Sequence, residues 1–483
     1  MLSYLSSFIW AQPATGEASV SRRAEGKASC QDAEDKEILT ADNVEAILAK
    51  YDHPVIDRLR ELIEVGGAGH WPPRATYDDT WPAPLRPYES IYHEIAPFMT
   101  VAESCLDDAE NRKTIDAFRH RLVTLLNERI DLPAVEAVLK VEGDEKAEDD
   151  EEFSAPAWMG FFACIGFLRH AYRWGIVPIV REAQNEPTLE FPRELDVPWK
   201  VLQKRFGITS PGGNLTSNVY ANCDFTESRG LDTAVSFSSL SVTIAPALQW
   251  NSRMFYEMEE KALPMYRLMA LSITRFTQND IPGTLRALTL AAALLRAVLR
   301  FFYDNLRDEN LSTPLWMAYC QGFHGWTLDG IDGVSGGLSL VIRVLDSFLG
   351  IRPFPGEQPD GTRTDEVEAI HLPLAQRNWL NYLREFDIRK VARERGEKEV
   401  SDVLEGMVSQ LRIWRMGHMR RMVPYEGVAR PERKKMTAGK SVVDDQVLDG
   451  YGKGRSEEGL APEEDAMVEH LKAQLAQRLA ETR

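Results

Sequence analysis

EVSDVLEGMVSQLRIWRMGHMRRMV, residues Glu399–Val423, is the stretch on which the reading of this chain turns. Apolar Val400, Leu404, Met407, Leu411 and Trp414 recur at the spacing of one helix face. One more turn along the same stripe stands His418, with Arg415 a turn before it and Arg420 and Arg421 just after. The spacing therefore predicts an imidazole on the buried face of a long helix, ringed by cations. A metal-centred group with an anionic rim suits that arrangement, since it needs one neutral nitrogen ligand and positive charge around it. A core histidine satisfied by a carbonyl suits the same spacing.

Working outward, nearly everything from Gln249 to Tyr425 scans as helix, broken by Gly/Pro stretches at 281–283, 325–337 and 350–363. Upstream, helical patterns cover Asn43–Val65, Ile91–Met99, Ala109–Ile130 and Trp158–Gly175. Between the first two lies HWPPRATYDDTWPAPLRPYES (His70–Ser90), which reads as an extended strap over the surface. Ser210–Ser241 is rich in Ser, Thr, Asn and Gly, so loops or a short hairpin are expected there. The acidic run Glu142–Glu152 (EGDEKAEDDEE) reads as a solvated loop. Beyond residue 427 the chain turns basic and then polar. Glu463–Leu479 is predicted to form an amphipathic helix through Met467, Leu471, Leu475 and Leu479. No internal repeat is visible. The expected fold class is all-α.

Composition narrows the function classes. With 56 basic against 74 acidic residues the net charge is −18, which argues against a phosphate-binding surface and hence against nucleic acid. Five cysteines without CxxC spacing argue against a zinc cluster or a disulfide framework and fit a reducing compartment. The strongest apolar run, Leu288–Leu295, is bracketed by Arg286, Arg296 and Arg300 and reads as a buried helix rather than a membrane span. The N-terminal MLSYLSSFIWAQPA is apolar but short, with no basic residue before it, and reads as a frayed terminus rather than a signal peptide. The expectation is a cytoplasmic, monomeric protein.

Four segments, in order, resemble the indoleamine 2,3-dioxygenase family. GFLRHAYRWG (Gly166–Gly175), followed by FPRELDVPW (Phe191–Trp199), is similar to the family's A-Y-x-W-G helix and P-R-x-x-x-V-P loop. GVSGGLSLVIRVLDSFLGI (Gly333–Ile351) resembles its glycine/serine loop and the helix after it. HLPLAQRNWL (His371–Leu380) is close to M-P-x-x-H-R-x-F, with Gln376 where the family has histidine. WRMGHMRRMVPY (Trp414–Tyr425) matches F-R-x-x-H with valine and tyrosine downstream. The likeness runs loosely over residues 85–445.

The resemblance implies a haem b whose iron His418 ligates, in a fold with a small and a large helical domain. The domain boundaries expected are a partly disordered extension over 1–84, a small helical domain over 85–245, a haem domain over 246–426, and a loop with a C-terminal helix over 427–483. Arg415 would pair with a haem propionate. Asp346 sits among Val344, Leu345, Phe348 and Leu349, where an unpaired carboxylate is costly. The family's matching aspartate joins the proximal arginine network, so an Asp346–Arg415 pair is expected; a solvent-facing Asp346 is the alternative. Ser335, Gly336 and Gly337 match the loop at the haem edge, where the lack of a side chain lets backbone come close. Thr437-Ala438-Gly439 resembles the mobile loop over the pocket, in degraded form.

On the distal side the likeness thins. The helix LWMAYCQGFHGW (Leu315–Trp326) carries Leu315 at the family's aromatic position and Cys320 at that of its carboxylate-clamping arginine. Losing that arginine forfeits roughly 1.5–3 kcal/mol of charge-assisted hydrogen bonding, or about ten- to a hundred-fold in affinity for a free amino acid. Arg253, in Gln249-Trp250-Asn251-Ser252-Arg253, either supplies a replacement cation or faces outward. Leu315, Trp316 and Phe323 would line an indole slot, and serve equally well as core.

What the resemblance implies is a dioxygenase that inserts both atoms of O₂ across the 2,3 bond of an indole, by default L-tryptophan to N-formylkynurenine. The alternatives are a haem dioxygenase for an indole or pyrrole without the amino-acid carboxylate, a catalytically degenerate haem binder, and a haem-free helical scaffold. The expected partners are O₂ and a small indole, with neither nucleic acid nor membrane.

Overall fold

A computed structural model describes residues 38–98, 108–141, 153–174, 189–226, 230–233, 244–307, 309–311, 336–351, 364–422, 479 and 482. It is mainly helical. Contacts divide the chain into Met1–Leu39 and Thr40–Arg483, and every element named here belongs to the second.

The helices in chain order are α1 (Val44–Leu48), α2 (Pro54–Glu64), α3 (Pro87–Ile95), α4 (Asp108–Arg129), α5 (Leu132–Val141), α6 (Ala155–Trp174), α7 (Arg193–Phe206), α8 (Ile244–Thr277), α9 (Ile281–Asn305), α10 (Leu340–Phe348), α11 (Thr364–His371), α12 (Leu374–Phe386), α13 (Ile388–Arg395) and α14 (Lys398–Met422). A π-helical turn over Thr216–Tyr220 leads into a two-stranded antiparallel hairpin, β1 (Cys223–Thr226) with β2 (Gly230–Thr233). The hairpin pairs Cys223 with Thr233 and Thr226 with Gly230.

The break between α8 and α9 shows how local chemistry sets the boundaries. Asp280 caps α9, its side chain accepting the Gly283 N–H at 2.8 Å, and Pro282 follows inside the first turn where no N–H is needed. The long pair α8 and α9 then packs side by side, and α14 lies against α9. Helix α12 packs on α2 and α10, while α1 and α2 also rest on α8. The helices within 44–64, read from sequence as part of an extension, are thus joined to the main helical body.

A second group, α3 to α7, encloses an aromatic core. Phe162 stacks on Phe206 and Trp199 at centroid distances of 4.3 and 5.5 Å, and Trp81 and Tyr88 meet Phe161 edge-on. Burying each such ring contributes about 1.5–3 kcal/mol. The segments GFLRHAYRWG and FPRELDVPW meet in this core. Arg169 donates to the carbonyl oxygens of Pro211 and Leu195 and lies over the Phe191 ring at 3.7 Å. Burial pulls the Arg169 guanidinium down to about 9.

His70–Ser90 is not a surface strap. Trp71, Trp81, Leu85 and Tyr88 are all buried. Each indole can go inside because its N–H finds an acceptor there: Trp81 the Thr76 carbonyl at 3.0 Å, Trp71 the Glu259 carboxylate at 3.2 Å. The acidic run beyond Val141 and the helix expected over Glu463–Leu479 lie outside the described residues, except for Leu479 itself. Among the described residues no helix is long and apolar enough to cross a membrane.

Candidate functional site

Helix α14 buries Val400, Leu404, Met407 and Leu411 completely. The stripe then opens. Arg415 is still buried, but Trp414 and His418 are half-buried, so the imidazole stands at the end of the buried face rather than within it.

Around His418 the walls are aromatic. Its ring lies parallel to that of Trp414 with centroids 5.5 Å apart, and Phe302 of α9 meets both edge-on at 5.7 and 5.3 Å. The Tyr303 hydroxyl donates to the Trp414 carbonyl, tying α9 to α14 at this turn. Gly417 permits the approach: a Cβ there would stand 2.8 Å from the Tyr303 hydroxyl oxygen.

Arg415 and Asp346 form the expected pair. Arg415 Nη2 donates to Asp346 Oδ1 at 2.7 Å and to Oδ2 at 2.8 Å, while Nη1 donates to Thr482 Oγ1 at 2.5 Å. Both side chains are shielded, at 8% and 14% exposure, so the contact is worth more than a surface ion pair. Helix α10 brings Asp346 there while burying Val344, Leu345 and Phe348 on its other sides.

Before α10 the chain makes a short turn over Gly336–Leu338, with Gly336 and Gly337 exposed and Leu338 buried. A Cβ on Gly336 would come within 3.3 Å of the Phe255 ring on α8. Ser335 lies outside the described residues, and so do Leu315, Trp316, Cys320, Phe323, Gly325-Trp326 and Thr437–Gly439. The side chains of Arg420 and Arg421 lie outside as well.

Arg253 faces outward. Its guanidinium is 46% exposed and pairs with Glu257 one turn on, Nε to Oε1 at 2.6 Å. The contact satisfies the cation within its own helix. Gln376 is buried and donates to Thr216 Oγ1 at 2.8 Å, joining α12 to the π-helical turn.

Sequence reading passed over Glu259. It is wholly buried on α8 and accepts from five neutral donors. Oε1 takes the Val341 N–H at 2.8 Å, the Tyr220 hydroxyl at 3.2 Å and the Ser339 hydroxyl at 3.4 Å. Oε2 takes the Tyr266 hydroxyl at 2.7 Å and the Trp71 indole N–H at 3.2 Å. Burial raises the Glu259 carboxyl above its ordinary value, against the pull of those donors, and lifts the Tyr220 and Tyr266 hydroxyls well above theirs. The signal was there: Phe255, Glu259, Ala262, Tyr266 and Met269 share one helical spacing, which places a carboxylate in an apolar stripe.

Among the described residues no group of three or more His, Cys, Asp or Glu side chains could hold a bare metal ion. A haem iron asks less of the protein: one axial imidazole, a cation for the propionates and an apolar wall. His418, Arg415 and the Phe302–Trp414 rings are of the residue types such a group would ask for. No protein-family model matches the chain, and no curated protein matches it.

Proposed function

We propose that this protein is a haem-dependent dioxygenase of the indoleamine 2,3-dioxygenase type, opening the 2,3 bond of an indole. The observation that carries the reading is the shielded Asp346–Arg415 contact, one helical turn from His418. It joins two of the four segments on which the family resemblance rests, at residues that are 69 positions apart in sequence.

In this reading His418 would ligate the iron, and the Phe302 and Trp414 rings against its imidazole would hold that ring's plane. Arg415 neutralises an anionic rim, and Asp346 holds the guanidinium so that its free geometry is small. The exposed Gly336–Gly337 backbone offers a surface that a flat ligand can approach without meeting a side chain. When bound, haem iron supplies the dioxygen chemistry. A small and a large helical domain, with the haem held in the large one, complete the proposal.

Two substrates are distinguished by charge. L-Tryptophan is the family's default. Cys320 at the position of the family's arginine favours an indole without the carboxylate, because a thiol cannot clamp that group.

The test is spectroscopic and chemical. Purified protein is titrated with haem, reduced with ascorbate, and given L-tryptophan or tryptamine in air. A Soret band with N-formylkynurenine supports the default substrate; a band with turnover of tryptamine alone supports the second. A Soret band without turnover of either indicates a haem binder that is not a dioxygenase. Absence of stoichiometric haem uptake overturns the proposal.

A further inference from the structure

Helix α10 has an unusual beginning. Ser339 stands at its N-cap position, but the hydroxyl does not cap its own helix. It turns instead to Glu259 on α8, at 3.4 Å. The first two helical N–H groups are satisfied from outside: Leu340 donates to the Tyr220 hydroxyl at 3.4 Å, and Val341 to Glu259 Oε1 at 2.8 Å. Every helix start leaves such donors open, and a serine cap is the ordinary solution.

The difference between the two solutions is geometric. A serine cap holds one helix and fixes nothing else. A carboxyl group supplied by α8 ties the start of α10 to α8 at a set distance, its oxygen accepting the open N–H at the positive end of the helix. Glu259 is held in turn by Tyr266, from its own helix, and by Trp71. Its two oxygens divide the work, Oε1 facing α10 and Oε2 facing the support.

Immediately before the tied turn comes Gly336–Leu338, and one turn before Glu259 on α8 comes Phe255, whose ring lies 3.3 Å from where a Cβ on Gly336 would stand. Helix α8 thus carries both the anchor and the floor of the glycine turn. We infer that Glu259 is a positioning residue, fixing the Gly336–Gly337 backbone at the height where an indole or haem edge meets it. This assignment of the site's height to Glu259 rests on the function proposed above.

The experiment uses the full chain and three variants. Glu259→Leu removes every acceptor. Glu259→Gln keeps an oxygen on the α10 side and can donate from its amide to Tyr266. Ser339→Ala loosens the tie mildly, should the leucine variant fail to fold. Amide exchange of residues 336–341 is followed without haem. KM and kcat are then measured for L-tryptophan and tryptamine after haem loading.

Glu259→Leu is expected to speed exchange at Val341 by roughly tenfold or more, as one lost buried hydrogen bond would. It should raise KM by a similar factor, with kcat changed about threefold at most. Glu259→Gln should recover most of both effects, and Ser339→Ala should move both in the leucine direction. Unchanged exchange in Glu259→Leu, or in Ser339→Ala if leucine does not fold, overturns the inference. Equal loss of exchange protection in the glutamine and leucine variants also overturns it, because acceptor placement would then not matter. A KM unmoved while exchange rises would leave Glu259 a structural cap only. If wild-type protein takes up no haem, the functional proposal fails by itself, and exchange at 336–341 still decides whether Glu259 holds the turn.

Discussion

Arg415 spans both oxygens of Asp346 with a single nitrogen, Nη2, at 2.7 and 2.8 Å, and thereby keeps Nη1 for the hydroxyl of Thr482. One guanidinium thus joins α14, α10 and a residue far along the chain. Removing the carboxylate leaves a buried cation uncompensated. Asp346→Ala is expected to destabilise the fold by about 3–5 kcal/mol, and Asp346→Asn, which keeps an acceptor, by less. Urea unfolding measures both; a change under about 1 kcal/mol in the alanine variant would place the pair with ordinary surface salt bridges.

His418 is half-buried, so its loss costs the fold little. His418→Ala should lower stability by no more than about 1–2 kcal/mol. The same variant should abolish the Soret shift on haem titration, and added imidazole should restore part of it. A haem spectrum identical to wild type would remove His418 as the ligand.

Glu259 gives stability an unusual pH slope. Its carboxyl is raised above 4.5 in the fold because burial disfavours the charge. The folded state therefore holds that proton more tightly than the unfolded chain, and this contribution is complete below 4.5 and lost as pH rises through the folded value. Glu259→Gln cannot titrate. The stability of wild type relative to this variant should decline as pH rises over that window, and parallel curves would show that Glu259 carries no such slope.

Glu405 has the opposite sign. Hydrogen bonding from Arg389 first, with Arg393 adding to it, lowers its carboxyl below 4.5. The fork from Arg389 is close, Nε to Oε1 and Nη2 to Oε2 both at 2.7 Å. Its contribution is present above 4.5 and disappears as acid takes the pH down through the folded value. Wild type should exceed Glu405→Gln at neutral pH and converge with it on acidification. Because the Glu405 side chain is 42% exposed, salt should reduce the neutral-pH difference.

Gly417 sits inside α14, five residues before its end, where alanine would ordinarily stabilise by up to about 1 kcal/mol. Here the added methyl meets the Tyr303 hydroxyl oxygen at 2.8 Å, and that hydroxyl is held by the Trp414 carbonyl. Overpacking of this kind costs about 1–3 kcal/mol, so Gly417→Ala is expected to destabilise. In a Tyr303→Phe background the penalty should shrink by about 1 kcal/mol, since the closest atom is gone. A double-mutant cycle by thermal unfolding reads the coupling directly.

Much of the helical architecture was legible because apolar spacing reports which face is buried. The α14 stripe and the run over Trp158–Trp174 both follow from it. Less legible were segments whose burial depends on a distant polar partner. His70–Ser90 reads as surface strap until Glu259, far along the chain, supplies an acceptor for the Trp71 indole. Arg253 was ambiguous for the converse reason, since a local partner at Glu257 competes with any distant one.

Periodicity along the chain determined the helical class, the register that puts Arg415 and His418 on adjoining turns, and the placing of Asp346 among apolar neighbours. Between a paired and a solvent-facing Asp346 tertiary structure chose the pair with Arg415 across 69 residues, and it alone decided that the imidazole stands at the mouth of the buried stripe and that Glu259 caps a helix it does not belong to. The physical reason is range. Helical periodicity is set by backbone hydrogen bonds four residues apart. The partner of a buried charge or an open N–H is set by whichever chain packing brings within about 3 Å.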